Sequence, residues 1–527
     1  MKKISKLILC LMLAVSMLFV TACEVVIGSV DSSTNSGSSS STVIGGNSSG
    51  SQGGSSTNSG SSTNSGSSTN SGSSTNSGSS TQESVVTIDF YVMNDLHGMF
   101  EDSDSQPGVD EFTTFMFDRY EDTSAYEVLL SSGDMWQGSV ESSSNKGALM
   151  TEWMNYVGFE AMTLGNHEYD WGGDYIAQNA EIANFPFLAI NVLVNNQPAS
   201  YCQPSVIIER GGVKIGVIGT IGDVLSSISG EFTNGLYFKK GSALTSLVQA
   251  EAKRLRDVEG CDIVVYSIHE GYDEGYDTVL SDKNSGKGYV DIVFEGHSHK
   301  SYKKTDEYGV YHIQAGGYNK AISYARFVVD KQKDTVKISN ASYLNNSNYS
   351  SSSLADDPIV DQLMDKYFPT SDPYNDVLGY NKAYRDDSEV VQKVADLYLE
   401  IGKATWGDDY QIVLGGGYLK TRTPYNLYAG NVTYADIFAL LPFDNDVILG
   451  KIKGADLTAN FLEKDSYTCT LNGNLCDNIV STQYYYIVVD SYTAFYSWNN
   501  ITVIERLPNV YARDLLKDFI ASGGWAK

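Results

Sequence analysis

Five times between residues 85 and 299, a short run of aliphatic, β-branched or aromatic residues ends in a loop that carries Asp, Asn or His. The run at 85–93 leads into Asn94-Asp95-Leu96-His97-Gly98. Val128-Leu129-Leu130 leads into Gly133-Asp134-Met135-Trp136-Gln137-Gly138, and Ala161-Met162-Thr163-Leu164 into Gly165-Asn166-His167-Glu168-Tyr169-Asp170. Ile263-Val264-Val265-Tyr266 precedes His269-Glu270-Gly271, and Ile292-Val293-Phe294 precedes Glu295-Gly296-His297-Ser298-His299. Short apolar runs stopped by Gly or turn residues read as buried strands. In layered α/β proteins the site lies outside the carboxyl ends of such strands. The recurrence therefore constrains the chain to an α/β fold whose loops converge on one rim. Asp, Asn and His are oxygen and nitrogen donors for divalent cations, and glycine lets the backbone turn sharply to aim them. Histidines scattered through a core would not fall in this order. Five of the six histidines lie in these loops; His312, inside the apparent strand Tyr311-His312-Ile313-Gln314, reads as structural.

The blocks Asp-x-His, Gly-Asp, Gly-Asn-His-Glu, a lone His and Gly-His-x-His, in this order, resemble the calcineurin-like metallophosphoesterases in the branch of the 5′-nucleotidases. The resemblance covers about residues 85–335 strongly and the C-terminal part more weakly. It implies a four-layer sandwich, two sheets between helices, over 85–341. It also implies two divalent metals: Asp95, His97 and His299 on the first, Asn166, His269 and His297 on the second, with Asp134 bridging. Two cations roughly 3.5–4 Å apart clamp a phosphate oxygen and turn a bound water into hydroxide at neutral pH. His167 matches the family's catalytic histidine and Asp170 its partner, which would fix the imidazole tautomer; plain structural hydrogen bonding is the rival role for His167. Mixed N/O ligation suits zinc, manganese, iron or cobalt and does not choose among them.

The N-terminus reads as a targeting segment. Lys2, Lys3 and Lys6 precede an apolar run at 7–20, too short to span a membrane comfortably. It ends in Val20-Thr21-Ala22-Cys23, which resembles a bacterial lipobox, so residues 1–22 are expected to be removed and Cys23 lipidated. Residues 23–84 follow as a Ser/Thr/Asn/Gly tether in which Ser-Ser-Thr-Asn-Ser-Gly repeats from position 55 to 78. With almost no apolar side chains, such a segment cannot offset the entropy of ordering.

Beyond the metal blocks, 213–219 reads as a strand, 191–201 as a polar loop, and 241–258 as a helix on the spacing of Leu244, Leu247, Val248, Ala252 and Leu255. Residues 342–373 contain an amphipathic helix, with Ile359, Val360, Leu363, Met364 and Tyr367 on one face. By resemblance this helix is a hinge, and 374–527 is the α+β substrate domain of the 5′-nucleotidases. A helix at 389–401 precedes the strand Ile412-Val413-Leu414 and Gly415-Gly416-Gly417. In Pro442-Phe443-Asp444-Asn445 the resemblance makes Phe443 a nucleobase-stacking ring and Asn445 its hydrogen-bonding partner; core packing is the alternative for Phe443. Tyr492 is the second stacking ring, with Phe495 and Tyr496 as competitors. The chain departs from the family after the three glycines. Gly-Gly-Gly-Ile-Arg becomes Gly-Gly-Gly-Tyr418-Leu419-Lys420-Thr421-Arg422, so the cation for substrate comes from Arg422 or Lys420 in a shifted register. The family's later Gly-Gly-Asp is replaced by Phe495-Tyr496-Ser497-Trp498-Asn499.

Acidic residues outnumber basic ones 64 to 36, a net charge of −28 that repels long DNA or RNA. A small nucleotide is not excluded, because bound cations dominate the local field. Cys469 and Cys476 flank a Leu-Asn-Gly-Asn turn and are candidates to pair in an oxidising exterior, whereas Cys261 reads as a free core thiol. The expectation is a monomeric, exported enzyme, lipid-anchored on the extracellular face of the membrane. It would release phosphate from nucleoside monophosphates by attack of a metal-bound hydroxide. A 2′,3′-cyclic-nucleotide 2′-phosphodiesterase/3′-nucleotidase and a UDP-sugar hydrolase are the enzymatic alternatives. A surface binding lipoprotein is the non-enzymatic one, and the complete ligand set speaks against it.

Overall fold

The computed structural model describes residues 84–102, 106–228, 232–272, 289–348, 357–422, 425–461, 468–471 and 479–526. The targeting segment, Cys23, the tether and the Cys469–Cys476 pairing lie outside the described residues.

Two six-stranded mixed sheets form the first half. The first runs Thr335–Asn345, Ala321–Asp330, Val85–Met93, Tyr126–Ser131, Ala161–Thr163, Phe187–Leu188. Its last four strands are parallel, so the loops after 93, 131 and 163 leave from one rim. The second runs Ser301–Thr305, Tyr311–Ala315, Ile292–Glu295, Ile263–His269, Val213–Ile221, Ser205–Arg210, with its four central strands parallel. Alternation decides the layers. Ile88, Phe90 and Val92 face the second sheet and pack with Val217, Val265, Phe294 and Ile313, while Tyr91 and Met93 point to the helices on the other side. The Phe90 ring lies 5.2 Å from Phe327 and 6.3 Å from Phe294. Truncating such a buried ring to Ala costs roughly 3–5 kcal/mol. Helices including Asp110–Tyr120 and Ala148–Val157 cover the first sheet, and Ser242–Asp257 covers the second, giving four layers.

The segment 191–201 is not a plain loop. Val192–Val194 pairs with Gln197–Pro198 in a hairpin and with the distant strand Leu236–Phe238. That distant partner is what makes strands of residues that look like a turn.

Helix Pro358–Tyr367 starts at Asp357, whose side chain accepts from Ile359 N at 2.8 Å, and buries Val360. Further on, Asp386 caps a helix that runs over Asp387–Trp406, longer than the apolar spacing at 389–401 marks. It packs on a five-stranded sheet ordered Thr468–Leu471, Ile412–Gly417, Tyr484–Asp490, Val447–Lys453, Thr502–Leu507. No described helix is long and apolar enough to cross a membrane.

Candidate metal centre and substrate cavity

At the rim where the parallel strands end, Asp95, His97, Asp134, His297 and His299 all have left-handed backbone, with φ of 52°, 56°, 55°, 69° and 54°. Non-glycine residues rarely adopt this conformation, and it persists only where the surroundings enforce it. Here the loops are laced to one another. Asp95 N donates to Gly133 O (2.9 Å), and His97 N donates to Asp134 O (3.0 Å). The buried Glu168 carboxylate accepts from Gly165 N (2.7 Å), Asp134 N (2.9 Å) and Met135 N (2.9 Å). Burial and the Asp134 charge push Glu168 up to about 7, while the backbone donors pull it down. Gly296 must be glycine: a Cβ there would sit 2.8 Å from Ser132 O and 2.9 Å from His269 Nδ1.

The seven side chains proposed from the sequence as ligands come together. His97 Nε2 and His299 Nε2 are 3.0 Å apart, with Asp95 Oδ1 3.4 Å from the latter. Asp134 Oδ2 is 3.0 Å from His269 Nε2, and Asn166 Oδ1 is 2.8 Å from His297 Nδ1. Among the described residues, three groups place their donor atoms within 4.8 Å of one another: Asp95/His97/His299, His97/Asp134/His167 and Asp134/His269/His297. His97 Nδ1 lies 3.0 Å from Gln137 O and His269 Nδ1 lies 2.7 Å from Ser132 O. A proton on His269 Nδ1 donates to the Ser132 carbonyl and turns the His269 Nε2 lone pair inward, as a metal ligand requires, whereas His97 Nδ1 also meets the Arg422 guanidinium, which is a donor only. Burial, followed by the charges of Arg422 and His299, holds His97 well below its ordinary range, so it is a neutral imidazole. Burial opposes a charge on His269, yet Asp134 overrides it and raises His269 to about 10. Positive charge is therefore favoured beside Asp134, which suits a divalent cation.

His167 borders this cluster, its ring 5.2 Å from that of His97, and it has a carboxylate partner of its own. Its Nδ1 donates to Asp170 Oδ2 at 2.7 Å, and its backbone N donates to Asp134 Oδ1 at 2.8 Å. Burial lowers its pKa, but Asp170 and Asp134 together outweigh that and raise it. Burial raises Asp170 in turn.

A cavity of about 1360 Å³ opens from Asn166, His167 and His297 to the C-terminal half, where Lys420, Phe443, Asn445 and Tyr492 line it. The Phe443 ring is 5.8 Å from that of His167, and the residue is 37% exposed, so it is not core. Arg422 is buried, with Nη2 against His97 Nδ1 and 3.5 Å from Gln137 O. Its guanidinium lies 5.2 Å from the Phe443 ring and 5.8 Å from that of Tyr318. Leu419 is buried in the core cluster and also lines the cavity, and Arg422, three residues on, reaches His97. Lys420 stays exposed, its Nζ 4.8 Å from the Tyr418 ring. Tyr492 lies 5.8 Å from Tyr418 and 5.9 Å from Tyr496; Tyr496 and Phe495 line the cavity as well. Asn445 Oδ1 accepts from Ser491 Oγ at 3.5 Å. Residues that sequence reasoning did not single out also take part. Glu168 lay inside a recognised block, but its role as acceptor for Asp134 N and Met135 N depends on a loop more than thirty residues away. Gln137 and Trp171 line the cavity, and the Tyr318 ring lies 5.1 Å from both His97, tilted, and His299, edge-on.

Residues 88–301 match the family model of the calcineurin-like phosphoesterases, and 374–486 match that of the 5′-nucleotidase C-terminal domain. Protein UshA of Yersinia enterocolitica is 25% identical over 415 residues, covering 69% of this chain and 74% of that protein. A 5′-nucleotidase of Vibrio parahaemolyticus is 24% identical over 69% of this chain and 72% of its own length. The solved 5′-nucleotidase precursor of Thermus thermophilus superposes with a TM-score of 0.65 at 17% identity, covering 83% of this chain and 97% of that one. The chain is a calcineurin-like phosphoesterase, and thus a metal-dependent hydrolase of phosphoric esters. Within that class it belongs to the family whose phosphoesterase domain is followed by a 5′-nucleotidase C-terminal domain.

Proposed function

We propose that this chain is an exported two-metal phosphohydrolase that converts nucleoside monophosphates into nucleoside and phosphate. Asp95, His97 and His299 would hold one ion, Asn166, His269 and His297 the other, and Asp134 would serve both. Zinc, manganese, iron or cobalt suits the donor set. The ions supply Lewis-acid polarisation of the phosphoryl oxygens and an activated water. The chain's own groups do the rest. Asp170 fixes the His167 tautomer and favours its cationic form, so His167 stabilises charge on the phosphoryl group and gives a proton to the leaving oxygen. Arg422 adds a fixed positive charge beside the phosphate. Phe443 stacks on the base, Asn445 bonds its edge and Tyr492 forms a second wall. We also propose the limits 85–341, 342–373 and 374–527 for the two domains and their connecting helix, with a lipid on Cys23, a tether over 23–84 and a monomeric state.

The observation that carries this reading is the closeness of Phe443 to His167, 5.8 Å between rings, which puts the base-stacking candidate beside the candidate proton donor. A second substrate class, the UDP-sugars, is favoured by the volume of about 1360 Å³, beyond the roughly 300–1,000 Å³ of ordinary ligand pockets. The test is phosphate release from AMP, 3′-AMP, 2′,3′-cyclic AMP and UDP-glucose side by side, with manganese or zinc. Preference for AMP supports the proposal. Preference for 3′ or cyclic substrates keeps the metal site and overturns the base clamp. No turnover in metal-replete protein favours a binding lipoprotein.

A further inference from the structure

The loop from Gly296 to Lys300 carries a candidate ligand for each ion, His297 and His299, and both have left-handed backbone. The Asp95 carboxylate accepts from His297 N (2.9 Å) and Gly316 N donates to Lys300 O (3.1 Å), and one buried side chain from the neighbouring strand, Tyr311–Ala315, reaches the loop at three points. Gln314 is fully buried. Its Nε2 donates to Gly296 O (2.5 Å) and, more weakly, to Tyr302 OH (3.4 Å). Its Oε1 accepts from Ser298 Oγ (2.8 Å) and Lys300 N (2.9 Å). The orientation of the amide is not arbitrary, because a backbone carbonyl only accepts and a backbone N–H only donates. The side chain thus grips the loop before, between and after its two histidines. No other amino acid of this size offers a donor and an acceptor so placed: Glu would set an oxygen against Gly296 O, and Met would offer neither.

The next residues extend the same support to the other loop. Ala315 N donates to Asn94 Oδ1 (3.3 Å), Asn94 Nδ2 donates to Gly316 O, and Tyr318 N donates to Asp95 O (2.8 Å). Behind Gln314, Tyr302 OH donates to Glu295 Oε2 (2.6 Å), and His312 Nδ1 lies 2.8 Å from Glu295 Oε1. This accounts for the sixth histidine. It anchors the residue from which the ligand loop departs.

We propose that Gln314 is the positioning residue that sets His297 and His299 in ligating geometry, and so governs the affinity of both metal positions together. The inference rests on the ligand assignment above. Outer hydrogen bonds to metal ligands typically contribute 10- to 100-fold in affinity, and Gln314 acts on both ligands through the residues that flank them, Gly296, Ser298 and Lys300.

The test uses the full chain, wild type and Gln314→Met, stripped of metal and titrated with Mn²⁺ or Zn²⁺ against a competing chelator. Melting of the metal-free proteins is followed in parallel. Asn381→Ala is the control, since Asn381 is a buried amide of the C-terminal half that donates to Tyr428 O at 2.7 Å. Gln314→Met should weaken both ions about 10- to 100-fold, with turnover recovered at high metal. Asn381→Ala should leave metal affinity unchanged whatever it does to melting. Ser298→Ala, which removes one bond only, should shift affinity the same way by less. Should Gln314→Met not fold, an unchanged affinity in Ser298→Ala overturns the proposal. Gln314→Met holding both ions within about threefold of wild type overturns it equally. So does a loss of affinity that tracks melting in Gln314→Met and Asn381→Ala alike. A wild-type chain that binds no metal would instead refute the ligand assignment itself.

Discussion

Replacing Phe443 by Ala separates a nucleotidase from a general phosphatase. The ring is 37% exposed and faces His167 and the Arg422 guanidinium, so little core packing is lost. The loop backbone is held independently: Arg513 Nη1 donates to Phe443 O at 3.0 Å and Arg513 pairs with Asp444. Stacking of a base on an aromatic side chain is worth about 1–3 kcal/mol by alanine substitution. At 1.4 kcal/mol per tenfold, kcat/KM for AMP should fall by about 5- to 150-fold. A further loss of up to about fivefold is expected if Arg422, deprived of a cation–π contact worth roughly 0.5–1 kcal/mol, drifts from the phosphate. That second component acts on every phosphate ester. The assay is therefore phosphate release from AMP and from p-nitrophenyl phosphate in the same preparation. The expected result is a ratio of specificity constants that moves against AMP by at least about fivefold. Equal losses on both substrates would refute the base clamp and make Phe443 a support for Arg422 alone.

Other substitutions divide the site by role. Asp134→Ala should abolish turnover and release metal, measured by elemental analysis of the purified variant, because Asp134 is the ligand proposed to serve both ions. His167→Ala should lower turnover with metal content retained; equal metal loss in the two variants would show that His167 is a ligand. Asp170→Asn should lower the pKa of His167, moving the alkaline limb of the kcat profile to lower pH, since the carboxylate favours the imidazolium; an unmoved limb would exclude the pairing. Asp490 offers a stability test. Burial raises its pKa from 3.8 to about 6, so the folded state binds the extra proton. Its contribution to stability is fully present below about pH 4 and is lost as pH rises to about 6. Removing the charge should therefore stabilise the protein above that window by on the order of 3 kcal/mol at most. Asp490→Asn should melt higher than wild type at pH 8 and near it at pH 4; a lower melting point at pH 8 would contradict this.

The candidate metal centre was legible because each part of it is local. An apolar run fixes a strand, a glycine ends it, and the next two or three residues carry the donor. Parallel pairing then brings the loops to one rim, as strand-end sites require. What stayed hidden is what depends on distant partners. Val192–Val194 becomes a strand through Leu236–Phe238, which a reading confined to 191–201 cannot see. Gln314 and Tyr318 are ordinary strand and turn residues until the loop at 296–300 is laid against them. Arg422 lay on the edge of legibility. Its register differs from the family's, and that Arg422 reaches His97 is seen only once the two halves are laid together. Tyr492, Phe495 and Tyr496 all line one cavity, so the competition among them seen in the sequence is a property of the site itself.

The most direct measurement is the metal content of the purified chain set against chelator-reversible turnover of AMP. Two divalent ions per chain are expected, with phosphate release lost on chelation and restored by manganese or zinc. Turnover that survives complete removal of metal would contradict the central claim, as would a metal-replete chain with two ions and no phosphatase activity on any nucleotide.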